Sequence, residues 1–235
     1  MPLPELRVVL CQPRNPLNIG AAARAISNFG FRHLRVVNPY DPAFREAVSA
    51  VGGAPVLASA ELHTDVADAV RDCTLVAGTT AIGHRELQHP LLTLADAAPL
   101  IRGNNGPVAL LFGSEKFGLS NEEMAYCHHL IHIPTSPQTP SMNLGQAVAV
   151  CLYELIREPA AGVLPHGPKP VAGSDAEQIT RMLLEVLGES GYTNRIVATS
   201  IELKVRRFVR RIRLTGRDAP LVLGILRQIL WKFRE

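Results

Sequence analysis

No stretch of the sequence approaches the roughly 18 uninterrupted apolar residues that a membrane-spanning helix requires, and the opening MPLPELRVVL lacks a basic region followed by an apolar run and a cleavage site. These absences set the expectation of a cytosolic, globular chain. Cysteine is scarce and solitary: Cys11, Cys73, Cys127 and Cys151 have neither the paired CxxC spacing of a zinc site nor the density of a disulfide scaffold. They are expected to be reduced and mostly buried, with no metal bound. Two nucleotide signatures are missing as well. GxGxxG does not follow the first apolar run, and the pair Gly113 and Gly118 is followed by Leu119-Ser120 where a phosphate-binding P-loop needs Lys-Ser/Thr. A dinucleotide-dependent enzyme is therefore disfavoured. Internal repeats and low-complexity tracts are absent.

What remains is enough material for a full core and a second small domain: 235 residues, 47% hydrophobic and 19% charged. The net charge of +3 is unevenly spread. Residues 1–170 carry 12 Lys and Arg against 14 Asp and Glu, a net of −2, whereas residues 171–235 carry 12 against 7, a net of +5. A basic C-terminal portion points to a polyanion partner, nucleic acid above all, with a merely solvated basic face as the alternative.

Short β-branched runs alternate with helical patterns through residue 157. LRVVL (6–10), LRVV (34–37), TLVAG (74–78), PVALLF (107–112) and LIHIP (130–134) read as buried strands, and the alternation predicts an α/β domain with a mainly parallel sheet over residues 1–157. Asn18 to Phe29 reads as a helix with Asn18 as its cap, Ser120 to Glu123 as a capping box, and Asn143 to Arg157 as an amphipathic helix. Residues 158–173, rich in proline and glycine, read as a linker. Beyond it, residues 174–235 predict a small bundle of three helices. The first opens on a Ser174/Glu177 capping box; the second buries Val205, Phe208, Val209 and Ile212; the third buries Leu221, Val222, Ile225, Leu226, Ile229 and Leu230.

Three segments carry more than structure requires. Asn15 to Arg24 follows the first strand, and its Gly20 and three alanines permit close approach, with Asn18 and Arg24 expected to face one cleft. Phe112 to Ser120 joins a strand to a capped helix, where open α/β sheets bind ligands. Ile133 to Gly145 is a polar loop long enough to suggest function. The ordinary readings of these segments, caps and a surface arginine, explain single residues and not the set.

Together N-x-G-A-x-A-R, F-G-x-E-x-x-G-L and I-P-x(6)-S-M-N-L resemble, in order and position, the three motifs of the SpoU branch of the SPOUT RNA methyltransferases. The tail, with Leu203 to Phe208 and Leu223 to Arg227, looks like the C-terminal domain of the TrmJ-type tRNA methyltransferases. The resemblance implies a parallel α/β fold with a deep trefoil knot, a homodimer, and S-adenosylmethionine as cofactor. It implies 2′-O-ribose methylation of RNA, with nucleotide 32 of the tRNA anticodon loop favoured. Ribosomal RNA, or a non-catalytic assembly role on the same scaffold, is the alternative. The family's catalytic arginine falls on Arg24, supported by Asn18, Glu115, Ser141 and Asn143. Its cofactor contacts fall on Thr79, Thr80, Ala81, Gly113, Gly118, Ile133, Ser141, Met142 and Leu144.

Pro140, Met142 and Gly145 depart from the family pattern and are expected to alter cofactor packing. A guanidinium stays protonated under nearly all conditions, so Arg24 is expected to hold a phosphate and stabilise the developing alkoxide rather than act as a base. In the tail, Lys204, Arg206, Arg207, Arg210, Arg211 and Arg213 place six cations in ten residues. With Arg24, they are the expected RNA contacts, away from the apolar stripe.

Overall fold

The computed structural model describes residues 5–40, 44, 54–81, 89–157, 169–193 and 198–235. Its strands are β1 (Leu6–Cys11), β2 (His33–Val37), β3 (Glu61–His63), β4 (Leu75–Thr79), β5 (Leu91–Thr93), β6 (Val108–Phe112) and β7 (His129–His132). They form one sheet in the order β3-β2-β1-β6-β4-β7-β5, with every pairing parallel. Five of these strands coincide with the β-branched runs. The two that sequence reasoning missed, β3 and β5, are three-residue edge strands with partly exposed side chains, too short to leave a periodic signal.

Both faces of the sheet are covered, so the central strands are apolar throughout. Leu6, Val8 and Leu10 of β1 enter a core beneath α1 (Pro16–Asn28), α2 (Ala54–Ala58), α4 (Leu94–Arg102) and α6 (Leu144–Ile156). Val9 and Cys11 enter the opposite core, beneath α3 (Val66–Ala69) and α5 (Asn121–Met124). All four cysteines are free and buried in these layers.

The first helix is capped differently from expectation. Asn15 is its N-cap, accepting a hydrogen bond from the Leu17 backbone N–H at 2.9 Å, with Pro16 in the first turn. Asn18 therefore lies inside the helix and its amide is available for other work. The Ser120/Glu123 capping box forms as expected at α5, and Asn143 caps α6.

Helices α1 and α6 lie directly against each other, and Gly145 is a point of close approach: a Cβ there would sit 2.6 Å from the Cβ of Ala21. Its glycine serves helix packing, which corrects the expectation that it alters cofactor packing. Gly145→Val is expected to force the helices apart at a cost of about 1–3 kcal/mol. The check is a lowered thermal midpoint that Ala21→Gly in the same chain partly restores.

The C-terminal helices are α7 (Gly173–Glu189), α8 (Ala198–Arg211) and α9 (Asp218–Phe233), packed around Val171, Ile179, Val209, Leu223 and Leu226. Pro170 pairs with Thr215, and the Val171 N–H donates to the Leu214 carbonyl at 3.0 Å. Residues 169–173 thus belong to the helical unit, while residues 158–168 of the expected linker lie outside the described residues. The Ser174/Glu177 capping box does not form. α7 starts at Gly173 without a side-chain cap, and the Ser174 N–H donates to the Arg71 carbonyl at 2.8 Å, holding the helix start against the end of α3.

The buried faces of the last two helices also differ from expectation. Phe208 and Ile212 are 46% and 43% exposed, whereas Arg210 is 1% exposed. On α9, Leu221, Ile225 and Ile229 are exposed, and Ala219, Leu223, Leu226 and Leu230 are buried. The reason lies in Glu177. Its carboxylate accepts from Arg206 Nε and Arg210 Nη2, both at 3.3 Å, and Glu202 accepts from Arg206 Nη2 at 2.9 Å. The Arg206 guanidinium also lies 4.7 Å from the centre of the Tyr126 ring, in the turn between α5 and β7. Two of the six cations expected to contact RNA are thus bound to Glu177, and one of them, Arg206, also reaches the sheet domain at Tyr126.

Candidate active site

The carboxyl ends of β4, β6 and β7 open into a cavity of about 360 Å³, walled by the segments that follow each strand and by the first turn of α6. This is the edge at which open parallel sheets bind ligands, and the volume falls in the usual range for small-molecule pockets. The backbone around it is tightly fixed. The Thr79 hydroxyl donates to the Leu111 carbonyl at 3.0 Å, and the Thr80 N–H donates to the Ile131 carbonyl at 2.9 Å, locking the end of β4 between its neighbours. In the loop after β6, Gly118 has φ of +66° and donates to the Ser114 carbonyl at 2.8 Å. A Cβ on Gly113 would fall 2.0 Å from the Gly118 carbonyl carbon and the Leu119 nitrogen, so this turn closes only with glycine at both ends.

The loop after β7 is braced by the Thr135 hydroxyl, which donates to the Pro140 carbonyl at 3.0 Å. All nine residues expected to contact the cofactor line the cavity: Thr79, Thr80, Ala81, Gly113, Gly118, Ile133, Ser141, Met142 and Leu144. Pro140 and Met142, two of the departures from the family pattern, are in its wall. Sequence reasoning missed Phe112, Ser114, Lys116, Phe117, Leu119, Ile131, Thr135 and Ala147 as lining residues. Ala147 was legible, since it falls three residues after Leu144 on the same helical face.

A chain of hydrogen bonds joins the three motifs. Glu115 Oε1 accepts from Asn18 Nδ2 at 3.0 Å, and Asn18 Oδ1 accepts from Asn143 Nδ2 at 2.7 Å. Asn143 Oδ1 completes the series by accepting the Gln146 N–H at 3.3 Å. The carboxylate fixes the amide orientations: only a donor can face it, so Asn18 must present its oxygen to Asn143. Glu115 also accepts the backbone N–H groups of Arg14 and Asn15, each at 3.1 Å, which sets a negative charge at the start of α1. Burial acts to raise the Glu115 pKa, but the hydrogen bonds from Asn18, Arg14 and Asn15 outweigh it and hold the carboxyl below its ordinary value. It is a poor proton acceptor and a good anchor.

Asn18, Glu115 and Asn143 thus come together as expected, and Ser141, like Glu115, lines the cavity. Arg24 does not join them. Six residues beyond Asn18, it is turned about 120° around the helix, and its side chain is exposed, outside the cavity, with no hydrogen bond or ion pair among the described residues. Within one chain, Asn18 and Arg24 do not face one cleft.

A parallel α/β sheet with these three motifs in this order defines a SpoU-type methylase, and the chain belongs to the SpoU rRNA methylase family, which it matches over residues 5–153. The likeness to one group of relatives extends further. The tRNA (cytidine/uridine-2′-O-)-methyltransferase TrmJ of Yersinia enterocolitica is 31% identical over 97% of this chain and 92% of its own length. Its Klebsiella pneumoniae counterpart is 30% identical over 97% of each chain. The crystal structure of TrmJ from Z. mobilis superposes with a TM-score of 0.84 at 30% identity, covering 95% of this chain and 98% of that one. An AdoMet-bound rRNA methyltransferase from Sinorhizobium meliloti covers only 66% of this chain and 57% of its own, with a TM-score of 0.51 at 26% identity. No helix among the described residues is long and apolar enough to cross a membrane.

Proposed function

We propose that this chain is a cytosolic, S-adenosylmethionine-dependent methyltransferase of TrmJ type, acting on the ribose 2′-hydroxyl of a cytidine or uridine in tRNA, with anticodon-loop nucleotide 32 as the favoured position. The observation that carries the choice of tRNA is the extent of the likeness: it continues through the helical domain to 97% of the chain, whereas the rRNA-modifying relative covers 66%. The cavity fits the cofactor in size and in its backbone-rich, partly apolar wall.

The bound cofactor supplies a methyl group on a sulfonium, and transfer is an in-line displacement that depends on alignment. The residues of this chain do the rest. The glycine turn at 113–118 and the braced loop at 133–143 shape the cavity. The Glu115-Asn18-Asn143 chain holds the start of α1 against that loop. Arg24 binds the phosphate next to the reacting ribose and stabilises the developing alkoxide.

Arg24 lies outside its own cavity, so the reading includes a homodimer in which one protomer lends Arg24 to its partner. The paired helices α1 and α6 support it: Leu17, Val150, Tyr153 and Ile156 are exposed there, and Gly20 faces open space. In the tail, Lys204, Arg211 and Arg213 are the cations offered to phosphates, since Arg206 and Arg210 are committed to Glu177.

The test is methyl transfer from radiolabelled S-adenosylmethionine to total tRNA and to rRNA, followed by nucleoside analysis. A 2′-O-methylated pyrimidine from the tRNA anticodon loop is the expected product, with activity falling steeply as salt rises. Label in rRNA alone would overturn the substrate assignment.

A further inference from the structure

The turn between Glu115 and Gly118 holds two cavity-lining residues that take no part in the motif-linking chain. The motif F-G-x-E-x-x-G-L leaves these two positions open, and this chain fills them with Lys116 and Phe117. Phe117 lines the cavity yet is 62% exposed, so its ring stands at the mouth. Lys116 Nζ lies 5.1 Å from the centre of that ring. The turn carrying them is held from both sides. Ser114 and Gly118 bridge across its base, and Glu115 is fixed by Asn18 and by the backbone of residues 14 and 15. An exposed aromatic side chain on a fixed turn beside a cofactor-sized cavity is costly to leave in water.

Single-stranded RNA loops are recognised by splaying bases onto aromatic faces, with nearby cations meeting the backbone. We infer that Phe117 is the stacking platform for a base at or next to the methylated nucleotide, with Lys116 contacting the adjoining phosphate, so that the ribose is presented to the cavity. The inference rests on the proposed action on RNA and adds the residue that seats the nucleotide. Stacking tolerates any base, so Phe117 sets the pose of the nucleotide and not its identity.

The experiment compares wild-type, Phe117→Ala, Phe117→Trp and Lys116→Ala enzymes for KM and kcat with tRNA, for S-adenosylmethionine affinity by calorimetry, and for oligomeric state. For Phe117→Ala the expected result is a rise of about tenfold in KM for tRNA, the effect of losing one base–aromatic stack, with cofactor affinity and assembly unchanged. Phe117→Trp restores a KM near wild type, which a side chain that merely fills space would not do. Lys116→Ala weakens the salt dependence of KM. An unchanged KM in Phe117→Ala overturns the inference, as does a loss of cofactor affinity, which would place the ring against the cofactor, or a loss of assembly, which would place it in a subunit contact. Wild-type enzyme that methylates no tRNA overturns the proposed function, and this inference with it.

Discussion

Arg24→Ala enzyme is expected to lose about 10²–10³-fold in kcat while binding S-adenosylmethionine and unfolding as the wild type does. The separation follows from where the side chain lies. It is exposed, touches neither the cavity nor the Glu115-Asn18-Asn143 chain, and so contributes little to cofactor binding or to the fold. Arg24→Lys should recover only a small part of the rate, because a point charge on a flexible stem cannot grip a phosphate through two parallel hydrogen bonds. Near-normal turnover in Arg24→Lys would show that the planar fork is unnecessary.

The same geometry makes a sharper prediction for mixed dimers. Ala147→Phe obstructs the cavity wall without touching Arg24. A dimer of one Arg24→Ala protomer and one Ala147→Phe protomer contains one complete site if Arg24 acts across the interface, and none if it acts within its own chain. Co-purified mixed dimers, isolated through two different tags, should therefore show substantial activity when each parent shows almost none. Inactive mixed dimers would place Arg24 in its own protomer's site.

The sheet domain was legible because its signals are local and redundant. Runs such as LRVVL and PVALLF are apolar at every position since both faces of β1 and β6 are covered, and glycine or proline marks their ends. The cavity was legible through its motifs, since all nine expected cofactor contacts are among its lining residues. Two errors share one cause, the assumption that a residue type reveals its surroundings. Asn18 resembled a cap, but Asn15 has that role and Asn18 is a link between motifs. The arginines of α8 read as an exposed row facing phosphates because charge usually lies outside, yet Arg206 and Arg210 turn inward to the Glu177 carboxylate. Glu177 lies 29 residues before Arg206 in sequence, and no helical period spans that distance. On α9, apolar residues lie nearly all round the helix, so periodicity could not choose between Ile225 and Leu223. The position of Arg24 relative to the cavity was legible in part: a six-residue offset does not return to the same face of a helix.

Removing the Glu177 carboxylate should be among the most damaging single changes outside the cavity. Arg210 is 1% exposed, and burial acts to lower its pKa while Glu177 acts to raise it. Among the described residues its surroundings offer no substitute. Cys127, nearby, is held protonated, its pKa pushed by burial up to about 12. Buried His128 is kept neutral by burial and by the field of Arg210 itself. Breaking a buried ion pair from one side leaves an uncompensated charge, at a cost of about 3–5 kcal/mol, a large share of the stability of any small domain.

Glu177→Ala should consequently release the helical domain from the turn at Tyr126. Proteolysis would begin in residues 169–235, tRNA methylation would fall, and cofactor affinity would persist because the cavity is at the opposite end of β7. The double variant Glu177→Leu with Arg210→Met removes both charges and leaves Arg206 its bond to Glu202. Replacing a buried pair with apolar groups of similar size is often neutral or better, so this variant should recover most of the lost stability. It also isolates what Arg210 does for RNA. If the charge serves only as a clasp, tRNA affinity in the double variant returns to the wild-type value. If stability returns and tRNA affinity does not, the Arg210 charge reaches the RNA, and the clasp is only part of its role.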